Sequence, residues 1–145
     1  MAQKISLLYD VNQTEAWTSW TPTATNLTVG NGTWDCKYIQ IGKLVACRVK
    51  FTWGTTTSAS AAITTFTLPV TAASGSDGSM GVVYLEDLAT AGYEGSIRKG
   101  STTTAQLICY SASGTYATSR GVEGTVPWTW ANGDFFAGYF MYEAA

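Results

Sequence analysis

The chain has 145 residues, a formal net charge of −2 and only 12% charged residues, against an average near ~25%. A domain of this size buries roughly two-thirds of the surface that its unfolded chain exposes, which leaves no room for a second full domain. The eight basic residues are scattered singly or in pairs, so the basic footprint that nucleic-acid binding needs is missing, and no apolar run approaches the roughly 20 residues of a membrane-spanning helix.

Thr, Ser and Gly are abundant, with hydroxyl clusters at 55–58, 64–67 and 102–104. β-Branched and aromatic residues suit a pleated surface, while the usual formers of surface helices are scarce. The composition therefore predicts an all-β chain whose solvent face is built largely from hydroxyls. Cys36, Cys47 and Cys109 are an odd set without CxxC spacing, which suggests neither a disulfide framework nor a zinc site. Folding in a reducing cytoplasm is the simpler account. The apolar run Ile5 to Tyr9 is too short for a signal-peptide core, so the chain is expected to be unprocessed and soluble.

Residues 1–16 carry an apolar cluster of Ile5, Leu7, Leu8, Tyr9 and Val11 between polar residues. This segment reads as an N-terminal arm or as an ordinary first strand tied into a sheet. From Thr33 to Trp53 two alternating runs flank Ile41-Gly42-Lys43-Leu44, and Gly at the first central position predicts a type II′ hairpin turn. Pairing outward from Gly42-Lys43 puts Trp34, Cys36 and Tyr38 on one face with Val45, Cys47, Val49 and Phe51. Asp35 then stands across from Lys50 as a charge pair on the other face.

Downstream, Ala62, Thr64, Phe66 and Leu68 alternate before Pro69, Gly81 to Leu85 is a short apolar run, and Thr102 to Tyr110 alternates around Leu107 and Cys109. Loops are expected at 74–78 and 111–114, where Gly, Ser and Asp cluster. A closing strand, Phe135 to Tyr142, follows the turn signal Asn132-Gly133-Asp134. Roughly eight short strands without a helical stripe predict a two-layer antiparallel β-sandwich, jelly-roll-like, over residues 17–145.

The chain contains no histidine, which excludes Ser/His/Asp and Cys/His nucleophilic systems and removes the commonest metal ligand. Cys36 and Cys47 alternate with core positions of the hairpin, and Cys109 lies beside Leu107, so all three read as buried thiols. Glu86, Asp87, Glu94 and Glu123 could in principle form a glycosidase pair. All four lie near glycines where loops are expected, and no calcium-loop spacing accompanies them. No enzyme activity, cofactor or metal is expected.

The segment Thr21 to Thr33, then Lys37 to Lys43, Phe66 to Val70 and Thr129 to Asp134, resembles a recurrent β-domain of tailed-bacteriophage structural proteins, over most of residues 20–143. Its turn glycines and asparagines, Asn31-Gly32, Gly42 and Asn132-Gly133, have a structural reading of their own. Trp34, Cys36, Cys47 and Trp53 depart from the pattern, standing where smaller or plain aliphatic residues are expected. Domains of this kind occur in minor tail proteins, receptor-binding tips and head decoration proteins, and the resemblance brings no catalytic motif.

A lone domain with a short arm and no shaft or coiled coil points to a capsid decoration protein on the outer surface of the virion head. It would be made in the host cytoplasm, form a homotrimer by analogy and bind the major capsid protein. In that reading Ile5, Leu7, Leu8, Tyr9, Trp17 and Trp20 contact the shell or neighbouring subunits. The alternative is a receptor-binding tip, in which Trp53, Trp128 or the loop at 111–120 contacts host saccharide.

Overall fold

Gly42 takes φ +58° and Lys43 does not follow it into positive φ, the combination of a type II′ turn. In the computed structural model, which describes residues 16–75, 78–112 and 114–145, this turn joins β5 to β6 with Ile41 opposite Leu44 and Lys37 opposite Arg48. The same register runs on to Trp34 opposite Phe51, so the predicted hairpin holds over its whole length. Val45, Cys47, Val49 and Phe51 all point inward and are buried. Asp35 and Lys50 do face each other, and their backbones exchange two hydrogen bonds. The charge pair falls elsewhere: Asp35 binds Arg48 at 2.7 Å, and the Lys50 ammonium lies 4.5 Å from the centre of the Phe135 ring.

The described residues are all-β. In chain order the strands are β1 (Thr18–Ser19), β2 (Ala24–Thr25), β3 (Leu27–Thr28), β4 (Thr33–Trp34), β5 (Lys37–Ile41), β6 (Leu44–Thr52) and β7 (Ser58–Ala59). They continue with β8 (Thr65–Thr67), β9 (Ser79–Asp87), β10 (Ala91–Lys99), β11 (Thr104–Ser111), β12 (Thr118–Gly121) and β13 (Phe135–Glu143). One antiparallel sheet runs β1-β5-β6-β13-β9-β10-β11-β8-β2, with β4 on β6 and β12 on β11, and β3 pairs with β7 in a second small sheet.

The sandwich is made by that one sheet curling over on itself. Strands β13 and β8 are four places apart in it, ~19 Å if the sheet were flat. Yet the Phe66 ring of β8 lies 6.1 Å from Phe140 and 6.4 Å from Phe136 of β13. Trp20 and Trp34 close on the same ring at 6.3 and 6.2 Å. Glycines permit the curl: on the inner face Val49, Gly138, Val83, Gly95 and Cys109 stand side by side across five strands.

Strand β10 was not expected, because Gly92, Gly95 and Ser96 break its apolar alternation and placed Glu94 among loops. It pairs with β9 from Ala91 to Arg98 and with β11 from Gly95 to Lys99, and the connection from β9 is made by Ala89 in a left-handed conformation, φ +61°, where Gly or Asn would announce a turn. The turn expected at Asn31-Gly32 sits one step earlier. Gly30 takes φ +56°, and Gly32 N–H donates to the Val29 carbonyl at 2.9 Å.

The hydroxyl clusters do more than meet solvent. The Asn31 side-chain oxygen accepts from both the backbone N–H and the hydroxyl of Thr56, each at 2.9 Å, and the Thr57 hydroxyl donates to Val29 O at 2.6 Å. Thr64 is 1% exposed and its hydroxyl has no partner among the described residues. A desolvated, unpaired hydroxyl weighs against folding, so Thr64→Val is expected to raise the unfolding free energy by about 1 kcal/mol. A higher urea midpoint with an unchanged slope would show it; a lower midpoint would mean that the hydroxyl has a partner.

Candidate functional site

Alternation along a strand sends every second side chain outward, and in β13 both sets are apolar as far as Tyr142, Glu143 ending the outward set. Phe136, Phe140 and Tyr142 fill the core, while Tyr139 and Met141, 63% and 58% exposed, stand on the other side. The neighbouring strands continue this outer face. Ile39, Ala46 and Met141 align across β5, β6 and β13, and Arg48, Tyr139 and Val82 across β6, β13 and β9. The next row is Lys50, Ala137, Tyr84 and Glu94. Val82 is 63% exposed, and Leu44, Ile41 and Leu88 are exposed as well. The expected hydroxyls stand out from loops and from β2, β8, β11 and β12, with Thr25, Thr65, Thr67, Thr104, Thr118 and Ser119, whereas the outer side of β13 and of β9 as far as Tyr84 is apolar.

Two shallow hollows shape this face. A cleft of about 440 Å³ lies over Ala137 and Gly138, where side chains are small, between Tyr139, Tyr84 and Val82, with Arg48, Lys50 and Glu94 on its rim. A second, of about 240 Å³, shares Val82 and Tyr139 and runs on to Met80, Met141 and Trp17. The flanks carry opposite charge. Lys37, Arg48 and Lys50 against Asp35 leave +2 on the β4–β5–β6 side, and Glu86 and Glu94 against Arg98 leave −1 on the β9–β10 side. Tyr84 donates its hydroxyl proton to Glu86 at 2.5 Å, and that hydrogen bond raises the pKa of the phenol.

A cleft of about 410 Å³ opens at the end of β10, β11 and β12, lined by Tyr93, Tyr110, Arg120 and Pro127 among others. Beside it runs a stack of aromatic rings: Tyr93 on Trp128 at 5.1 Å, Trp128 on Trp130 at 4.2 Å, and Trp130 on Trp53 at 4.1 Å. Trp53, a predicted saccharide contact, is only 3% exposed and packs edge-on to Phe51 and Phe136. Burial removes its face from any ligand in solution. Trp128 is partly buried, its ring faces are engaged in the stack, and its indole N–H donates to Asp134 at 2.8 Å.

The predicted contact residues separate in the same way. Ile5, Leu7, Leu8 and Tyr9 lie outside the described residues. Trp17 is exposed at the edge of the outer apolar face. Trp20 instead turns inward onto Phe66 and Phe140, 6.3 Å from each, so its ring belongs to the core rather than to a contact surface. Tyr139, Val82, Met141 and Tyr84 were missed. A signal for them was present, because Phe135 to Tyr142 contains no polar side chain outside its tyrosines and so has two apolar faces.

The three thiols are buried, and desolvation pushes Cys36 up to about 11 and Cys47 up to about 12, with Cys109 raised as well. They stay protonated at neutral pH and are poor nucleophiles. Each holds its proton more tightly folded than unfolded, so the associated stability is complete below the ordinary thiol value of 9 and is lost as pH rises through 11 to 12. The thermal midpoint is expected to stay level from pH about 6 to about 8.5 and to fall above about 9. A midpoint that instead rises above about 9 would contradict the burial of these thiols.

Among the described residues no group of three or more His, Cys, Asp or Glu side chains could hold a metal ion, and no helix is long and apolar enough to cross a membrane. Glu86 and Glu94 sit on the acidic flank of the outer face, on the paired strands β9 and β10, rather than in a closed cleft. Comparison with protein-family models, with curated proteins and with solved structures finds no match for this chain.

Proposed function

We propose that this protein is a non-enzymatic structural component of a bacteriophage virion, a capsid decoration protein that binds the major capsid protein on the outer surface of the head. Its likeness over residues 20–143 to tailed-phage β-domains supplies the class. The observation that carries the binding role is the apolar outer face of β6, β13 and β9, with Tyr139, Val82 and Met141 more than half exposed, since contiguous apolar surface on a soluble domain marks a protein-binding site. Trp17, the first residue after the expected arm of residues 1–16, stands at the edge of that face.

In this reading the arm, through Ile5, Leu7, Leu8 and Tyr9, anchors the domain on the shell. Purified protein is expected to co-sediment with heads that lack it, and protein without residues 2–16 to remain in the supernatant. Binding to the assembled shell but not to free capsid subunits would also raise the temperature at which the head releases its DNA. Full occupancy by armless protein removes the anchor, and failure of the full chain to bind any head removes the decoration role.

The cleft beside Tyr93, Tyr110 and Arg120 favours a second reading, a receptor-binding tip, because it joins aromatic rings to a guanidinium at a strand end. The saccharide would then meet Tyr93 and Tyr110 rather than Trp53. Binding of host envelope glycan that is lost in Tyr110→Ala, together with blocked adsorption by the free protein, distinguishes a tip from a decoration protein.

A further inference from the structure

We propose that the outer face of β5, β6, β13, β9 and β10 is covered by a second copy of this chain, the two sheets stacking face to face about a two-fold axis that runs along β13. This pairing competes with the decoration reading for the same face: a stable pair leaves the shell contact of that reading to Trp17 and residues 1–16, and it replaces the trimer suggested by analogy. Three features of the face lead to it: its size, its side chains and its division of charge.

Four nine-residue strands and the five-residue β5, at ~4.8 Å spacing and ~3.4 Å per residue step, give a footprint on the order of 600 Å². That is the scale of one side of a standard protein interface, about 800 Å² per partner. The centre is apolar and aromatic, with Tyr139, Val82, Met141 and Tyr84, and the charges lie on the two flanks and, as the Lys43–Glu143 pair, at the end of β13. An apolar centre with a charged rim is the composition of a stable interface.

The charge pattern selects both the partner and the symmetry. One flank carries Lys37, Arg48 and Lys50 against Asp35, and the opposite flank carries Glu86 and Glu94 against Arg98. A two-fold axis in the plane of the sheet and parallel to β13 exchanges the flanks, so that the basic side of one copy lies over the acidic side of the other. An axis across the strands would lay like charge on like.

With the axis along β13, Tyr139 meets the partner's Tyr139 near the axis, and the hydrogen-bonded Tyr84–Glu86 pair faces the partner's Lys50. Asp35, which faces the partner's Glu94, is already neutralised by Arg48 at 2.7 Å. Strands of the two copies then run in the same direction, the aligned geometry in which twisted sheets pack.

Sedimentation equilibrium of the full chain tests this. The mass of a pair is expected at micromolar concentration. Tyr139→Glu places a carboxylate at the symmetric centre and should weaken pairing by at least about a hundredfold. Tyr139 is exposed, so this variant should keep its far-UV spectrum and cooperative unfolding. Lys50→Glu should weaken pairing by about tenfold, and adding Glu86→Lys should recover most of the loss. A monomer at about 100 µM, a trimer, or a pair that Tyr139→Glu leaves intact would each overturn the proposal.

Discussion

Asp134→Ala is expected to cost about 3 to 5 kcal/mol of folding stability. The carboxylate is 2% exposed and has three donors aimed at it. Oδ1 accepts from Leu88 N–H at 3.0 Å, and Oδ2 accepts from Ala131 N–H at 2.7 Å and from the Trp128 indole N–H at 2.8 Å. These bonds tie the β9–β10 turn, the 128–131 segment and the start of β13 to one side chain. The Asp134 carbonyl in turn accepts from Trp53 N–H at 2.8 Å.

Removal of the carboxylate leaves three donors buried without an acceptor and loosens the aromatic stack through Trp128. Asp134→Asn keeps one acceptor oxygen but turns an amide NH₂ toward N–H donors, so it should lose about half as much. Urea unfolding of the three proteins decides the matter. A cost below about 1 kcal/mol for the alanine variant would mean that water reaches this site.

Gly138→Val is expected to cost about 3 kcal/mol or more, or to prevent folding into a soluble form. A Cβ on Gly138 would strike the Val82 carbonyl oxygen and come within 3.0 Å of Ile97 Cδ1 and 3.2 Å of Val83 Cα. A β9 carbonyl is part of a ladder and cannot move without breaking pairing with β13. The inner row Val49, Gly138, Val83, Gly95, Cys109 is where the sheet curls, and Gly95 stands under the same constraint from the Ile108 carbonyl oxygen. Gly78→Ala, where an added Cβ meets nothing within 4 Å, serves as the control and should be nearly neutral. Equal behaviour of Gly138→Val and Gly78→Ala would show that the curl does not depend on the missing side chain.

What was legible in the residues was local. Gly42 announces its turn, and the alternation on either side sets the register from Thr33 to Thr52, because a two-residue loop leaves one pairing that puts Cys36, Cys47, Val49 and Phe51 on the same side. The all-β class, the closing strand after Asn132-Gly133 and the burial of the thiols follow from patterns of the same short range. Strand β10 failed because Gly92, Gly95 and Ser96 have the composition of a loop, while the sheet needs small residues there on a strand held between two others.

The sequence by itself determined an all-β chain and the β5–β6 hairpin with its register. The tertiary structure alone decided that β13 lies between β6 and β9, that one sheet curls until Phe66 meets Phe136 and Phe140, and that Trp20 and Trp53 point inward while Tyr139 and Val82 point out. The reason is physical. Period-two alternation assigns residues to two faces without saying which face is core when both are apolar, and strand partners distant in sequence are chosen by the packing of the whole sheet.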